Sequence, residues 1–483
     1  VTLVYDFLVK LVKLPLKFFD TKMVGDILQR VGDHQRIEYF LTSIVLSIGL
    51  TIVNLIVFSI VLVSYNLKIF LFFLTGTVLY LLWMRLFLKR RGELDFVRFR
   101  QMSVNQNMLV QIIMGMPEIK LNNCGGKKIR DWVKIQEDLF ASGVQSVALS
   151  QNQQTGCALI RETQNILITF LAASLALRGE ITLGMMLAVQ FILGQLNGPV
   201  EQLLHFVAAT QDARLSLARI EEVHRQRDEA AGRTEAVPPG ASIGVANVSF
   251  QYGDPYSEKV LKDISLVLPN QKVTAIVGTS GSGKTTLIKL LLGFYEPTGG
   301  LIKIGAIPLD RIRPDLWRDR CGLVMQDGYI FSDTIANNIA LKDETVDEGR
   351  LRQAARIANI DIAALPLGYR TRIGADGHGL SQGQKQRILI ARAVYKDPEY
   401  LFFDEATNSL DTSNEAAIMK NLEHFFRGRT VTLVAHRLST VRHADQIVVL
   451  DQGVIAETGS HDQLIMKKGV YYNLVKNQLE LGN

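Results

Sequence analysis

Between Glu38 and Lys68 the chain carries no charged residue, and no other feature constrains its fold as much. A helix over that interval, rising about 1.5 Å per residue, is long enough for the roughly 30 Å hydrocarbon core of a bilayer. After a short polar break at Ser64, Asn66 and Lys68 comes IFLFFLTGTVLYLLWM, closed by Arg85, Lys89, Arg90 and Arg91. The two segments read as a membrane hairpin with its cations at the inner end. A second hairpin is expected from TQNILITFLAASLAL, Thr163 to Leu177, and ITLGMMLAVQFILGQLNGPV, Ile181 to Val200. Its first arm is short for a crossing, so the flanking Arg161 and Glu162 are expected to snorkel or to face a water-filled cavity. The Gly198-Pro199 pair predicts a bend in the last helix.

Charge sets the direction of these crossings. The turns near Asn66 and Gly179 are short and poor in cations. The stretch before Ile37 holds Lys10, Lys13, Lys17, Lys22, Arg30 and Arg36, and the long span from Lys89 to Gln154 holds Arg98, Arg100, Lys127, Lys128 and Arg130. Long basic segments stay inside, so the start, middle and end of this region face the cytoplasm. The middle span is too polar for lipid and predicts two helices extending into water, turning near Asn122-Asn123-Cys124-Gly125-Gly126. The resulting expectation is a membrane domain over residues 1–223, with crossings near 40–63, 68–88, 158–177 and 181–203. A charged, Pro/Gly-bearing linker over 224–242 and a soluble α/β domain over 243–483 follow.

A net charge of +6 raises the question of nucleic acid, but no Lys/Arg block with interleaved aromatics occurs, and nucleic-acid binding is set aside. The three cysteines, Cys124, Cys157 and Cys321, are odd in number and widely spaced, which fits a reducing compartment. Neither Cys124 nor Cys157 has a histidine in a plausible catalytic setting, so the chain is expected to cleave nothing. The first residues, VTLVYDFLVKLVKLPLKFFD, are amphipathic and lack an initiating Met or a cleavage site, so the chain reads as clipped at its beginning.

The soluble half carries KVTAIVGTSGSGKTT. A β-rich run, Val273 to Val277, feeds a G-x-x-x-x-G-K-T loop, and LIKLLLG continues as a helix, the strand–loop–helix context that gives the motif its meaning. Glycines let successive N–H groups turn toward phosphate oxygens, and the helix N-terminus adds a favourable field. The nucleotide-binding set is Gly278, Ser280, Gly281, Ser282, Gly283, Lys284, Thr285 and Thr286, with Lys284 neutralising the β/γ-phosphates and the Thr285 hydroxyl a Mg²⁺ ligand. Further on, the buried run Tyr400-Leu401-Phe402-Phe403 delivers Asp404 and Glu405 to its C-terminal end, where parallel sheets bind ligands. Asp404 suits the Mg²⁺ shell, and Glu405 suits a general base for an attacking water.

Leu380-Ser381-Gln382-Gly383-Gln384, followed by KQRILIARAV, resembles the signature motif of ABC ATPases. Tyr252 in SFQYG resembles the aromatic that stacks on adenine, Gln326 in VMQD the Q-loop glutamine, Ser409-Leu410-Asp411 the D-loop, and His436 in VAHRLST the switch histidine. The resemblance covers residues 243 to about 475, in the family's order. It implies that ATP lies between two head-to-tail ATPase domains, with Ser381, Gly383 and Gln384 of one copy closing on the γ-phosphate held by the other copy's phosphate loop. It further implies Gln326 as a Mg²⁺ contact, Asp411 at the dimer seam, and His436 holding the γ-phosphate beside Glu405. Two departures stand out: Gln382 where glycine is commonest, tolerable if its φ stays negative, and Ala375 where exporters often carry glutamate.

Leu14 to Leu41 resembles the first cytoplasmic turn of ABC exporters, in wording most similar to bacterial peptide and bacteriocin exporters that carry an N-terminal peptidase. IKLNNCGGKKIRDW, from Ile119, resembles the second turn. The fold class is therefore an α-helical transmembrane domain, part of an ABC exporter bundle, followed by an α/β P-loop ABC ATPase domain. The implied protein is a half-exporter in the plasma membrane that works as a homodimer on ATP and Mg²⁺ and moves a peptide. A lipid or drug exporter, and a channel-like or regulatory ABC protein, are the alternatives.

Overall fold

A computed structural model describes residues 2–230, 233, 235–253, 256–362, 365–374, 379–406, 412–435 and 441–480. The chain divides into two compact units, one of Val1–Leu14 with Phe18–Asp228 and one of Pro15–Lys17 with Glu229–Asn483.

Up to His224 the regular structure is all helical. α1 (Thr2–Val12), α2 (Leu16–Thr21) and α3 (Val24–Tyr39) lead through a π-helical turn at Phe40–Ile44 into α4 (Val45–Tyr65). Asn66 interrupts the run: its backbone is extended, and its side chain accepts from the Lys68 N–H at 2.9 Å, capping α5 (Leu67–Met114). α6 (Met116–Leu121) carries Pro117 in its first turn, where the missing N–H is harmless. α7 (Gly125–Leu177) and α8 (Leu183–His224) complete the unit, and Thr182 caps α8 by accepting from the Met185 N–H at 3.2 Å.

Among the described residues three helical runs are long and apolar enough to cross a membrane: Val24–Tyr65, Leu67–Met114 and Leu183–His224. α7 is helical throughout residues 158–177 but is not among them; Arg161, Glu162, Gln164 and Asn165 make its last eighteen residues more polar than the other three runs. The Gly198-Pro199 pair does not break α8, which runs through Pro199 although that residue has no N–H to give the carbonyl four residues back. Leu62, Ile69 and Phe73 pack with Ile168, Ala172, Leu193 and Leu196 in one apolar core. Toward the other end of these helices lies an ionic core. Asp33 of α3, 3% exposed, accepts from Arg219 of α8 on both oxygens at 2.7 Å and from Ser216 at 2.9 Å. Arg219 also reaches Asp95 of α5 at 3.0 Å, and Arg36 meets that same carboxylate at 3.1 Å.

The second unit is α/β. Its strands in chain order are β1 (Ile243–Phe250), β2 (Leu261–Leu268), β3 (Val273–Gly278), β4 (Gly299–Ile304), β5 (Ile307–Pro308) and β6 (Cys321–Val324). Then come β7 (Asp333–Thr334), β8 (Arg372–Ile373), β9 (Tyr400–Asp404), β10 (Thr430–Val434), β11 (Gln446–Asp451) and β12 (Val454–Gly459). The helices needed below are α9 (Lys284–Leu291), α10 (Pro314–Asp319), α11 (Ile335–Ile339), α12 (Glu348–Ile357), α13 (Gln382–Tyr395) and α14 (Thr412–Phe426). An antiparallel sheet runs β2-β1-β4-β5, and a six-stranded sheet runs β12-β11-β3-β10-β9-β6, parallel except for β12.

Side chains alternate across the parallel strands, as pleating requires. Ile276, Phe402, Val434 and Val448 enter one core with Leu287, Ile288 and Leu291 of α9. Leu401, Phe403, Val431 and Leu433 enter the other with Ile388, Leu389 and Ile390 of α13. Hence α9 and α13 lie on opposite faces of the sheet. Register aligns the strand ends: Val434 pairs with both Ile276 and Asp404, and Val324 pairs with Phe403. β3, β10, β9 and β6 therefore finish at one rim.

Candidate nucleotide-binding site

At that rim β3, β9 and β6 hand the chain to residues with chemistry. β3 ends at Gly278, and the loop to Gly283 turns into α9. Gly283 has φ +100°, and a Cβ there would lie 2.6 Å from Leu261 Cδ2. At Gly278 a Cβ would meet the Leu450 carbonyl oxygen at 2.0 Å, so neither position admits a side chain. Thr279, Ser280 and Gly281 form the exposed brow of the loop, while Ser282 is buried with no hydrogen-bond partner for its Oγ. Lys284, 5% exposed, donates to the Gly278 carbonyl at 3.0 Å and the Thr279 carbonyl at 2.9 Å, holding its ammonium under the loop. Burial pushes its pKa down, and the nearby Glu405 and Asp404 carboxylates oppose that shift.

β9 brings those carboxylates. Asp404, 3% exposed, is held above the usual carboxylate range by burial; the Thr285 hydroxyl bonded to it pulls the other way, and Glu405 pushes it further up. Its Oδ1 is buried without a hydrogen-bond partner. A buried carboxylate oxygen left over beside a threonine hydroxyl is a hard-oxygen donor set and fits Mg²⁺, which takes one or two protein oxygens and completes its shell with phosphate and water. Among the described residues no group of three or more His, Cys, Asp or Glu could hold a metal. Glu405 has φ +51°, a strained conformation for a non-glycine residue, and its N–H donates to the Val434 carbonyl at 3.1 Å. β6 supplies Gln326, two residues past Val324 in an exposed turn.

Tyr252 lies beside the loop. Its hydroxyl is 3.2 Å from Thr286 Oγ1, and its ring meets Phe250 and Tyr295 edge-on at 4.9 and 5.4 Å. That leaves it 37% exposed, a braced aromatic surface suited to stacking a planar base. Tyr295, the second brace, lies in GFYEP and gives no signal in the sequence.

Two family comparisons agree with this geometry. Residues 261–408 match the ABC transporter family and residues 1–200 match the ABC transporter transmembrane region. The leukotoxin translocation ATP-binding protein LktB of Mannheimia haemolytica is 34% identical over 477 residues, 98% of this chain and 67% of that protein. The chain belongs to the ABC transporter family. The exotoxin translocation ATP-binding protein PaxB of Pasteurella aerogenes is likewise 34% identical, over 97% of this chain and 66% of its own length. The chain thus spans about two thirds of the length of these relatives. A bacterial Atm1-family ABC exporter, its structure titled with ATP bound, superposes with a TM-score of 0.91 at 28% identity, over 99% of this chain and 84% of that one. The fold is that of an ABC exporter half, a helical membrane domain followed by an ABC ATPase domain.

The segment that resembles the ABC signature starts α13. Ser381 caps it: its Oγ accepts from the Gln384 N–H at 3.2 Å, while the Gln384 side chain accepts from the Ser381 N–H at 2.8 Å. This capping box is written in the sequence as S-x-x-Q and uses an oxygen lone pair, leaving the serine proton available to a phosphate. Gln382 is the first helical residue and is not among the residues with positive φ, so its backbone conformation does not require glycine. The structure gathers Tyr252, the phosphate loop, Asp404, Glu405 and Gln326 around one rim. It does not bring Ser381, Gly383 and Gln384 to the same chain's loop, since α13 lies across the sheet from α9. Ala375, Ser409, Leu410, Asp411 and His436 lie outside the described residues.

Proposed function

We propose that this chain is one half of a homodimeric exporter in the plasma membrane, hydrolysing ATP on the cytoplasmic side to move a polypeptide outward. One observation carries the reading: Lys284, Thr285, Asp404 and Glu405 meet at one rim, while the signature segment starts a helix on the opposite face of the sheet. A chain built this way holds the triphosphate but cannot close over it, so a second copy must present Ser381.

In the assembled site the phosphate-loop amides and Lys284 take the β/γ-phosphates, and Tyr252 stacks on the base. Mg²⁺, held by Thr285, Asp404 and Gln326, would neutralise developing charge on the phosphoryl oxygens. Glu405 accepts a proton from the water that attacks the γ-phosphorus in line, with His436 fixing that geometry. Ser381 of the second copy donates to the γ-phosphate from a helix N-terminus. Loss of that phosphate removes the bond that joins the copies.

A polypeptide cargo is favoured by the toxin-translocation relatives and by the resemblance of Leu14–Leu41 to peptide exporters, bacteriocin exporters with a peptidase among them. The test is the full chain in lipid vesicles with Glu405→Gln. ATP turnover falls by about 10²–10⁴ if Glu405 is the base, and uptake of a labelled peptide stops with it. Unchanged turnover removes Glu405 from the mechanism; uptake of a lipid dye in place of peptide overturns the cargo.

A further inference from the structure

At the rim of the six-stranded sheet away from the nucleotide, three helices end together. α12 stops at Ile357, α13 at Tyr395 and α14 at Phe426, and their last turns wall a cleft of about 600 Å³. Asp397, three residues before β9, and Arg429, immediately before β10, complete the wall. Asp404 ends β9 at the opposite rim, so the cleft is separate from the phosphate loop.

Helix C-termini carry partial negative charge and would repel an anion. Here the last carbonyls are covered. Asn421 Nδ2 donates to the Arg356 and Ile357 carbonyls at 3.4 and 3.3 Å. Arg350 donates to the Tyr395 carbonyl, and Arg429 to the Phe425 carbonyl. Each of these two guanidiniums also lies over a ring, Arg350 at 4.6 Å from the centre of Tyr395 and Arg429 at 3.9 Å from that of Phe425. A carbonyl and a ring face hold each fork in one orientation, so little side-chain freedom is left to lose when a ligand pairs with it.

The remaining donors are idle. Among the described residues the side chains of Gln353, Arg356 and His424, all exposed on the cleft, have no partner. Three guanidiniums face one carboxylate on the wall, Asp397, which pairs with Arg429. The acid nearest Arg350 is Asp343, 3.8 Å away and off the wall. Arg350 and Arg356 are six residues apart on one helix, about 9 Å along its axis. A single carboxylate reaches only one of them, whereas an extended peptide covers the distance with about three residues.

We propose that this cleft binds an acidic segment of a polypeptide, its carboxylates seated on Arg350, Arg356 and Arg429. Guanidiniums take carboxylates in paired hydrogen bonds, and a cleft of this size suits a short stretch of chain. Gln353 and His424 lie where they hydrogen-bond that stretch. Because the cleft and the phosphate loop occupy opposite rims, the segment and ATP bind without competing.

The test uses the full chain in lipid nanodiscs without nucleotide. Binding of a fluorescein-labelled hexaglutamate peptide is followed by anisotropy for wild type, Arg356→Glu and Gln353→Glu. Lys467→Glu is the control for net charge, since Lys467 is exposed in the same unit but outside the cleft. Expected is saturable binding that weakens about tenfold or more in the two cleft variants and less than about twofold in the control. Thermal midpoint and ATP turnover should match wild type in all three. Should Arg356→Glu not fold, Gln353→Glu decides. Absence of saturable binding to wild type overturns the inference, as does wild-type affinity in the cleft variants. Equal weakening by Lys467→Glu shows general charge attraction and overturns it too. Citrate that displaces the peptide at equal carboxylate concentration makes this a small-anion site and overturns the polypeptide occupant. No ATP enters the binding measurement, so its failure leaves the exporter reading standing, and failure of the Glu405→Gln test leaves the cleft standing.

Discussion

Asp404 is a carboxylate the fold would be more stable without. It is 3% exposed, its Oδ1 has no hydrogen-bond partner, and burial raises its pKa. The sign follows. A carboxyl whose folded pKa lies above its unfolded value opposes folding once pH exceeds the unfolded value, and that penalty relaxes as pH falls through the raised range. Asp404→Asn removes the charge in the folded state, so we predict a thermal midpoint above wild type at neutral pH, equivalent to about 0.5–2 kcal/mol. The gap should narrow as pH falls, and Mg²⁺-dependent turnover should drop by about 10²-fold or more. Thermal unfolding at two pH values, without nucleotide, checks the first part. A lower midpoint would mean that Asp404 holds the fold together instead of serving the site.

Among the elements, the phosphate loop and the ionic core of the helical unit differ in how they are written. β3, its loop and α9 are local in sequence, so strand, glycines and helix were legible as one pattern. Asn66 was legible as a break because a polar residue between apolar runs has little else to do, whereas Thr182, the cap of α8, falls inside the apolar run Ile181 to Val200 and gave no such sign. The Asp33–Arg219 pair joins residues 186 positions apart, and no spacing announces it. The π-helical turn at Phe40–Ile44 is equally hidden, since no residue in FLTSI marks it. The ionic core carries its own prediction. Arg219→Met leaves Asp33 buried beside Asp95 without its main partner and costs about 3–5 kcal/mol, seen as earlier thermal inactivation of the full chain in detergent. Asp33→Asn in the same background should recover most of that loss. If the single variant is neutral, the pair is ornament. At the start of α13, Ser381→Thr keeps an oxygen acceptor and retains the cap, whereas Ser381→Ala costs about 1 kcal/mol of helix start as well as turnover.

At the scale of the whole molecule, the division of labour across the six-stranded sheet makes a claim about two chains. If α9 and α13 serve different nucleotides, a copy lacking Lys284 and a copy lacking Ser381 are each dead when paired with themselves. Paired with each other they are not: one composite site combines both defects, and the other receives an intact phosphate loop from one partner and an intact signature from the other. Co-expressing Lys284→Ala with Ser381→Ala should therefore restore turnover that neither shows alone. With random pairing half the dimers are mixed and each holds one good site of two, so recovery should approach about a quarter of wild type if the sites fire independently. It should fall well below that if each site needs its twin. Placing both substitutions in one copy and pairing it with wild type is the control: every mixed dimer then has one defect in each site, so only the quarter of dimers that are wild type in both copies turn over, giving about a quarter of wild type. Recovery in the first mixture, with no more than about a quarter in the second, is the signature of sites shared head to tail. No activity in the first and about half of wild type in the second would show that each chain completes its own site, against the placement of α9 and α13 on opposite faces of the sheet.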